Sequence, residues 1–127
     1  DAGYDWDSYV KYGRQRFLTA PLMKWMFGKY VSDPAQRGND LMSPVRASAE
    51  RLRGLPATLI VVAENDILRD EGEAMGRRLD EAGVEVTTVR FNGVVHDWGM
   101  LNGFAALHPT RTLIRLVGSV LRDYLEK

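Results

Sequence analysis

Apolar residues in this 127-residue chain change their spacing near residue 43. Upstream, "DWDSYVKYGRQRFL" and "TAPLMKWMFGKYV" place Tyr9, Tyr12 and Phe17, then Leu22, Met23, Met26, Phe27 and Tyr30, at the steps of two short amphipathic helices. Thr19 followed by Pro21 predicts where the second helix begins, because proline in a first turn gives up an N–H that has no partner there. "VSDPAQRGNDLMSP" reads as a linker from its Pro, Gly, Asn and Asp content. Downstream, "ATLIVVAE" is a continuous apolar, β-branched run of the kind buried on both faces in a parallel sheet. A helix is expected over 71–82, with acids at its start and Gly83 at its end, between strands over 57–63 and 84–91. The last stretch, "TRTLIRLVGSVLRDYLEK", repeats Leu113, Leu116, Val117, Val120, Leu121 and Tyr124 at three- and four-residue steps. It predicts an amphipathic helix covering one sheet face. The chain thus divides into a helical segment with linker over 1–43 and a part over 44–127 whose strand, helix, strand, helix order predicts an α/β fold with a right-handed parallel crossover.

That order gives two polar residues a meaning. Ligands and reactive groups in open α/β sheets gather at the carboxyl ends of the strands. Asp66 follows the first strand and His96 the second, and the helix between them returns the chain so that both loops leave from the same edge. An aspartate bonded to one imidazole nitrogen fixes the tautomer and stabilises the imidazolium, which leaves the other nitrogen to take a proton from a nucleophile. Spacing alone does not single out catalysis, since an acid after a strand is common in such domains.

Composition narrows the field. At 45% hydrophobic content the chain amounts to one domain with a real core. Lys plus Arg and Asp plus Glu each number 17, so the net charge is zero and the field is too weak to favour nucleic acid or an anionic membrane. The absence of cysteine removes disulfides, thiolate nucleophiles and Cys-based zinc sites, and suits a reducing compartment. Two histidines make a poor metal site. No apolar run approaches the roughly 20 residues of a membrane span, and "DAGYDWDSYV" lacks the basic start and apolar middle of a signal peptide. The expected location is cytoplasmic.

Several elements stand together in order: the "SP" before the first strand, "GLPATLIVVAE", the acid loop "DILRDEG", "L-x-E-A-G-V" and "H-D-W". With "FLTAPLMKWMFGKYV" upstream, the chain from about Leu18 to its end resembles the C-terminal part of the hormone-sensitive-lipase-like (family IV) esterases, α/β-hydrolases that cleave carboxylic esters. The resemblance implies that Asp66 is the acid and His96 the general base of a catalytic triad, acting on short to medium acyl esters without metal or organic cofactor. Two departures are Ile67, where the family usually carries proline, and Trp98, where phenylalanine is usual. The family order is serine, acid, histidine, with the serine in a G-x-S-x-G elbow and an H-G-G-G type loop farther upstream. Neither pattern occurs here. Ser8, Ser32, Ser43, Ser48 and Ser119 read as caps, turns or surface residues, so the nucleophile is expected on polypeptide outside this sequence.

Other polar residues have simpler readings. Asp70 and Glu71 are expected to cap the helix they open. Asn65 reads as a loop former that can also hold the Asp66 carboxylate, and Asp97 as a loop residue whose side chain diverges from His96. His108, before Pro109, reads as a surface boundary residue. The Met and aromatic stripe of the first 43 residues fits either packing against a neighbouring surface or a lid over an apolar pocket. The expected partners are a small ester and either the N-terminal remainder of the hydrolase or a second copy paired through bare strand edges. A non-catalytic truncated module acting through association is the alternative.

Overall fold

The computed structural model describes residues 1–14 and 16–126. Gln15, inside the first expected helical stretch, and Lys127, at the end of the last, lie outside the described residues. The elements run α1 (Asp7–Tyr12), α2 (Ala20–Tyr30), α3 (Ala49–Leu52), β1 (Thr58–Asn65), α4 (Arg69–Glu81), β2 (Val86–Val95) and α5 (His108–Leu125), with short 3-10 turns at Pro34–Gln36, Pro44–Arg46 and Asn102–Phe104. α2 starts where the Thr19–Pro21 signal places it, and the Thr19 hydroxyl accepts the Leu22 N–H at 3.4 Å. α4 opens two residues earlier than the acid-rich start suggests, and both strands extend past their expected ends, to Asn65 and Val95.

β1 and β2 pair in parallel from Thr58 opposite Val86 to Ala63 opposite Phe91. α4 is the crossover between them and lies across the sheet on a glycine track. A Cβ on Gly72 would stand 2.7 Å from Val62 Cγ1, and one on Gly76 would collide with Thr88 Oγ1. One turn apart on the same helix face, the two glycines let the backbone come closer than any side chain would allow. Leu79 and Ala82 then meet Ala47, Leu52 and Val84 in one buried cluster, while Ala63, Val94 and Trp98 form a second near the far end of the strands. A third cluster joins the N-terminal helices to the loop after β1: Tyr9, Tyr12, Leu18 and Ile67.

Two expectations about coverage need correction. β1 is buried outright only at Val62 and Ala63 and half-buried elsewhere. α5 does not close over the sheet: Thr110 is its one fully buried residue, and Ile114, Leu121 and Leu125 are exposed. A cleft of ≈ 520 Å³ separates them, lined by Pro56, Leu59, Val61, Val117, Val120 and Leu121. The apolar stripe of an 18-residue helix is simply wider than two strands can cover. Upstream, Phe27 of α2 is buried against Tyr4, whereas Trp25, Met26 and Tyr30 face out.

The glycine track is testable. Alanine favours a helix interior over glycine by about 1 kcal/mol, yet overpacking against a stiff strand valine costs about 1–3 kcal/mol. Gly72→Ala is therefore expected to lower the urea midpoint, and a variant as stable as the parent would show that α4 does not depend on this approach.

Candidate active site

The end of the sheet carries an irregularity that sets the site. After Ala63 opposite Phe91, the next pair is Asn65 opposite Val95, so two steps along β1 match four along β2. Gly93 absorbs the difference. Its φ of 75° lies in the left-handed region, where glycine pays no Cβ penalty, and its N–H donates to Glu64 Oε2 at 2.7 Å. With Asn65 and Val95 abreast, the next residue on each strand is Asp66 and His96.

The structure brings the two side chains together: His96 Nδ1 lies 2.8 Å from Asp66 Oδ2. The other carboxylate oxygen, Oδ1, accepts the Leu68 N–H at 2.9 Å, so Asp66 is held at both oxygens. Asp66 is buried, at 8% exposure, and His96 half-buried. The hydrogen bond that the ring donates to Asp66 raises the His96 pKa above its ordinary value, burial opposes it, and the charges of Asp66 and Asp97 add to the rise. With Nδ1 turned to the carboxylate, Nε2 is the nitrogen left for proton transfer. Both residues line a cavity of ≈ 500 Å³ whose walls include Val62, Met75, Trp98 and Leu113. Apolar walls around a few polar groups are the usual build of a small-molecule site.

Neighbouring residues depart from their expected places. Asp97 does not diverge from His96. Its φ of 59° folds the carboxylate back, leaving Oδ1 3.4 Å from Nε2. Asn65 is the last residue of β1, and the Leu68 amide rather than the Asn65 side chain holds the carboxylate. Asp70 and Glu71 do lie in the first turn of α4, but neither caps it, since the cap position is Leu68 without a side-chain bond. Asp70 instead accepts the Ser8 N–H at 2.7 Å and Arg69 Nε at 2.7 Å. Glu71 lines the cavity, and burial pushes its carboxyl above the usual range. Ile67 is fully buried in the N-terminal cluster, a packing role that no local sequence signal announces. Trp98 is buried with its ring 5.4 Å from Phe91.

The serines fall into three groups. Ser48 caps α3 by accepting the Arg51 N–H, and Ser43 is buried, its hydroxyl donating to the Arg37 carbonyl at 2.8 Å. Ser32 and Ser119 are exposed, and no serine among the described residues lines the cavity. Ser8 is fully buried at the acid loop. His108 is exposed at the first residue of α5. Among the described residues no group of three or more His, Asp and Glu is placed to hold a metal, and no helix is long and apolar enough to cross a membrane.

Comparison with known proteins gives a consistent picture. A family model described as alpha/beta hydrolase fold matches residues 2–100. An arylesterase of Saccharolobus solfataricus is 37% identical over 94 residues, covering 74% of this chain and 28% of that protein. An ethyl acetate hydrolase of Pseudomonas putida is 36% identical over 98 residues, 77% of this chain and 30% of that one. Among solved structures, a thermostable esterase from Pseudomonas putida superposes with a TM-score of 0.91 at 44% identity, covering 93% of this chain and 37% of that chain. A brefeldin A esterase, described as a bacterial homologue of human hormone-sensitive lipase, does so at 0.87 and 30%, covering 96% and 36%. The chain therefore spans about a third of the length of the relatives it matches.

The Asp66–His96 pair makes stability depend on pH with a definite sign. Folded His96 binds its proton more tightly than unfolded His96 does. Its contribution is therefore fully present below the ordinary histidine pKa of about 6.5 and lost as pH rises through the folded value. Urea unfolding between about pH 5.5 and about pH 9 should show the stability difference between the parent and Asp66→Asn shrinking as pH rises. A difference that stays constant across that range contradicts the assignment.

Proposed function

The chain belongs to the α/β-hydrolase fold family, in the branch of the hormone-sensitive-lipase-like esterases, and from that premise we propose that it is the C-terminal part of a serine carboxylesterase acting on short to medium acyl esters. The observation that carries the reading is the 2.8 Å contact between His96 Nδ1 and Asp66 Oδ2 on the wall of a largely apolar cavity. In this mechanism a serine hydroxyl attacks the ester carbonyl while Nε2 of His96 takes its proton. Asp66 keeps the ring in the right tautomer and stabilises the imidazolium. The tetrahedral intermediate collapses, His96 returns the proton to the departing alkoxide, and the alcohol leaves an acyl-serine. Water, deprotonated by the same nitrogen, then releases the carboxylic acid and frees the serine.

The serine and the oxyanion donors come from polypeptide outside this sequence, which has no G-x-S-x-G. The uncovered stripe of α5, the cleft beside β1 and the exposed aromatic residues of α2 are the surfaces that such a part would cover, and strand pairing between two copies is the other way to cover them. A cytoplasmic setting belongs to the same proposal, supported by a sequence without cysteine.

The chain alone is expected to hydrolyse p-nitrophenyl butyrate no faster than free imidazole does. Joined to the N-terminal part of a family member carrying G-x-S-x-G, it should turn the ester over, and His96→Ala should cut that rate by roughly a thousandfold or more. Turnover by the isolated chain that His96→Ala abolishes, or a joined enzyme indifferent to that substitution, would overturn the reading.

A further inference from the structure

We infer that α1 is a clamp on the acid loop, with Ser8 as a positioning residue that sets Asp66 against His96. The inference rests on the reading of those two residues as acid and base. The loop's own bonds are local: Leu68 N–H to Asp66 Oδ1 at 2.9 Å and Arg69 N–H to the Asp66 carbonyl at 3.3 Å. They shape the turn without fixing where it sits. Its position is fixed from a segment about 60 residues earlier.

Ser8 grips the loop with two donors. Its hydroxyl donates to the carbonyl of Ile67, the residue after the acid, at 2.5 Å, and its backbone N–H donates to Asp70 Oδ2 at 2.7 Å. Ser8 and Ile67 are both fully buried, so the hydroxyl bond is not exchanged with water. One helical turn along α1, the Tyr12 hydroxyl accepts Arg69 Nη1 at 3.1 Å, and the same nitrogen donates to the Glu64 carbonyl at 3.2 Å. Arg69 closes the circuit through Asp70 and lies 5.1 Å over the Tyr12 ring. Residues 64, 67, 69 and 70 are thereby tied to one face of α1, on both sides of Asp66. The Ile67 side chain seats the loop further, packed in the cluster of Tyr9, Tyr12 and Leu18.

The readout is the imidazole itself. The charged groups around His96 are Asp66 from the loop after β1 and Asp97 beside it, with Glu71 of α4 and Asp1 on the cavity wall. Only Asp66 sits on the clamped loop. Titrating the His96 ring resonances by NMR in the intact chain reports how well Asp66 meets Nδ1, and it needs neither substrate nor turnover. Failure of the clamp and failure of the esterase reading are therefore separate results. Ser8→Ala is expected to move the His96 midpoint down toward the ordinary histidine value and to speed exchange of the Nδ1 proton. Tyr12→Phe, which keeps the ring packed in the cluster, should move it in the same direction by less, and it carries the test if Ser8→Ala does not fold. Leu52→Ala, in the separate cluster under α4, should lower Tm while leaving the midpoint at the parent value. An unchanged midpoint in the folded clamp variants, or an equal shift in Leu52→Ala, overturns the inference.

Discussion

The close approach of α4 to the sheet governs the rest of this structure. A crossover helix decides how β1 and β2 align, and here the alignment follows from two missing side chains, at Gly72 and Gly76. With the helix backbone resting on Val62 and Thr88, the strands hold a parallel register from Thr58 and Val86 onward. Their carboxyl ends then fall on one edge. Were the helix lifted by a methyl group, the hydrophobic contact of Leu79 with Leu52 and Val84 would be loosened together with the register. The alignment that sets the two strand ends side by side thus depends on the room that the two glycines of α4 leave over the sheet.

Register alone does not deliver His96. Two residues of β1 face four of β2 at the last step, and the left-handed Gly93 takes up the surplus. A regular ladder would leave β2 two residues out of step, and the histidine would arrive past the acid. The bulge is stapled by the Glu64 carboxylate, on the residue that also lends its carbonyl to Arg69. Glu64 therefore joins the sheet irregularity to the acid loop, although it lines neither the cavity nor the contact with the imidazole.

The sequence was informative where chemistry repeats at short range and silent where it acts at long range. Element order, the parallel crossover and the neighbourhood of Asp66 and His96 followed from periodicity and from a rule about strand ends. The Thr19–Pro21 start of α2 did as well, since a cap is a local affair. Asp70, by contrast, looked like a helix cap because acids at a first turn usually are. Its partner is Ser8, 62 residues away, and no local pattern points there. Ile67 stands where the resembled family usually carries proline, and it is a buried anchor. Asp97 departs from its expected place for a conformational reason: adjacent side chains diverge in extended backbone but not when the second residue is left-handed. A fully apolar strand implies neighbours on both sides, and this chain supplies few of them, so β1 is buried only at Val62 and Ala63.

The link between Ser8 and Ile67 also bears on the order of events as the chain is made. The β1–α4–β2 unit is built from elements that follow one another in the chain, with β1 and β2 pairing in parallel across α4. The grip on the acid loop spans 59 residues. It waits until a helix of six residues, too short to persist alone, finds a partner synthesised long after it. Ile67 precedes both α4 and β2 in the chain, so the anchor of the Asp66 loop is available before the strand that leads to His96 has been made. A newly made chain therefore holds the seat of Asp66 before it holds the histidine that Asp66 meets.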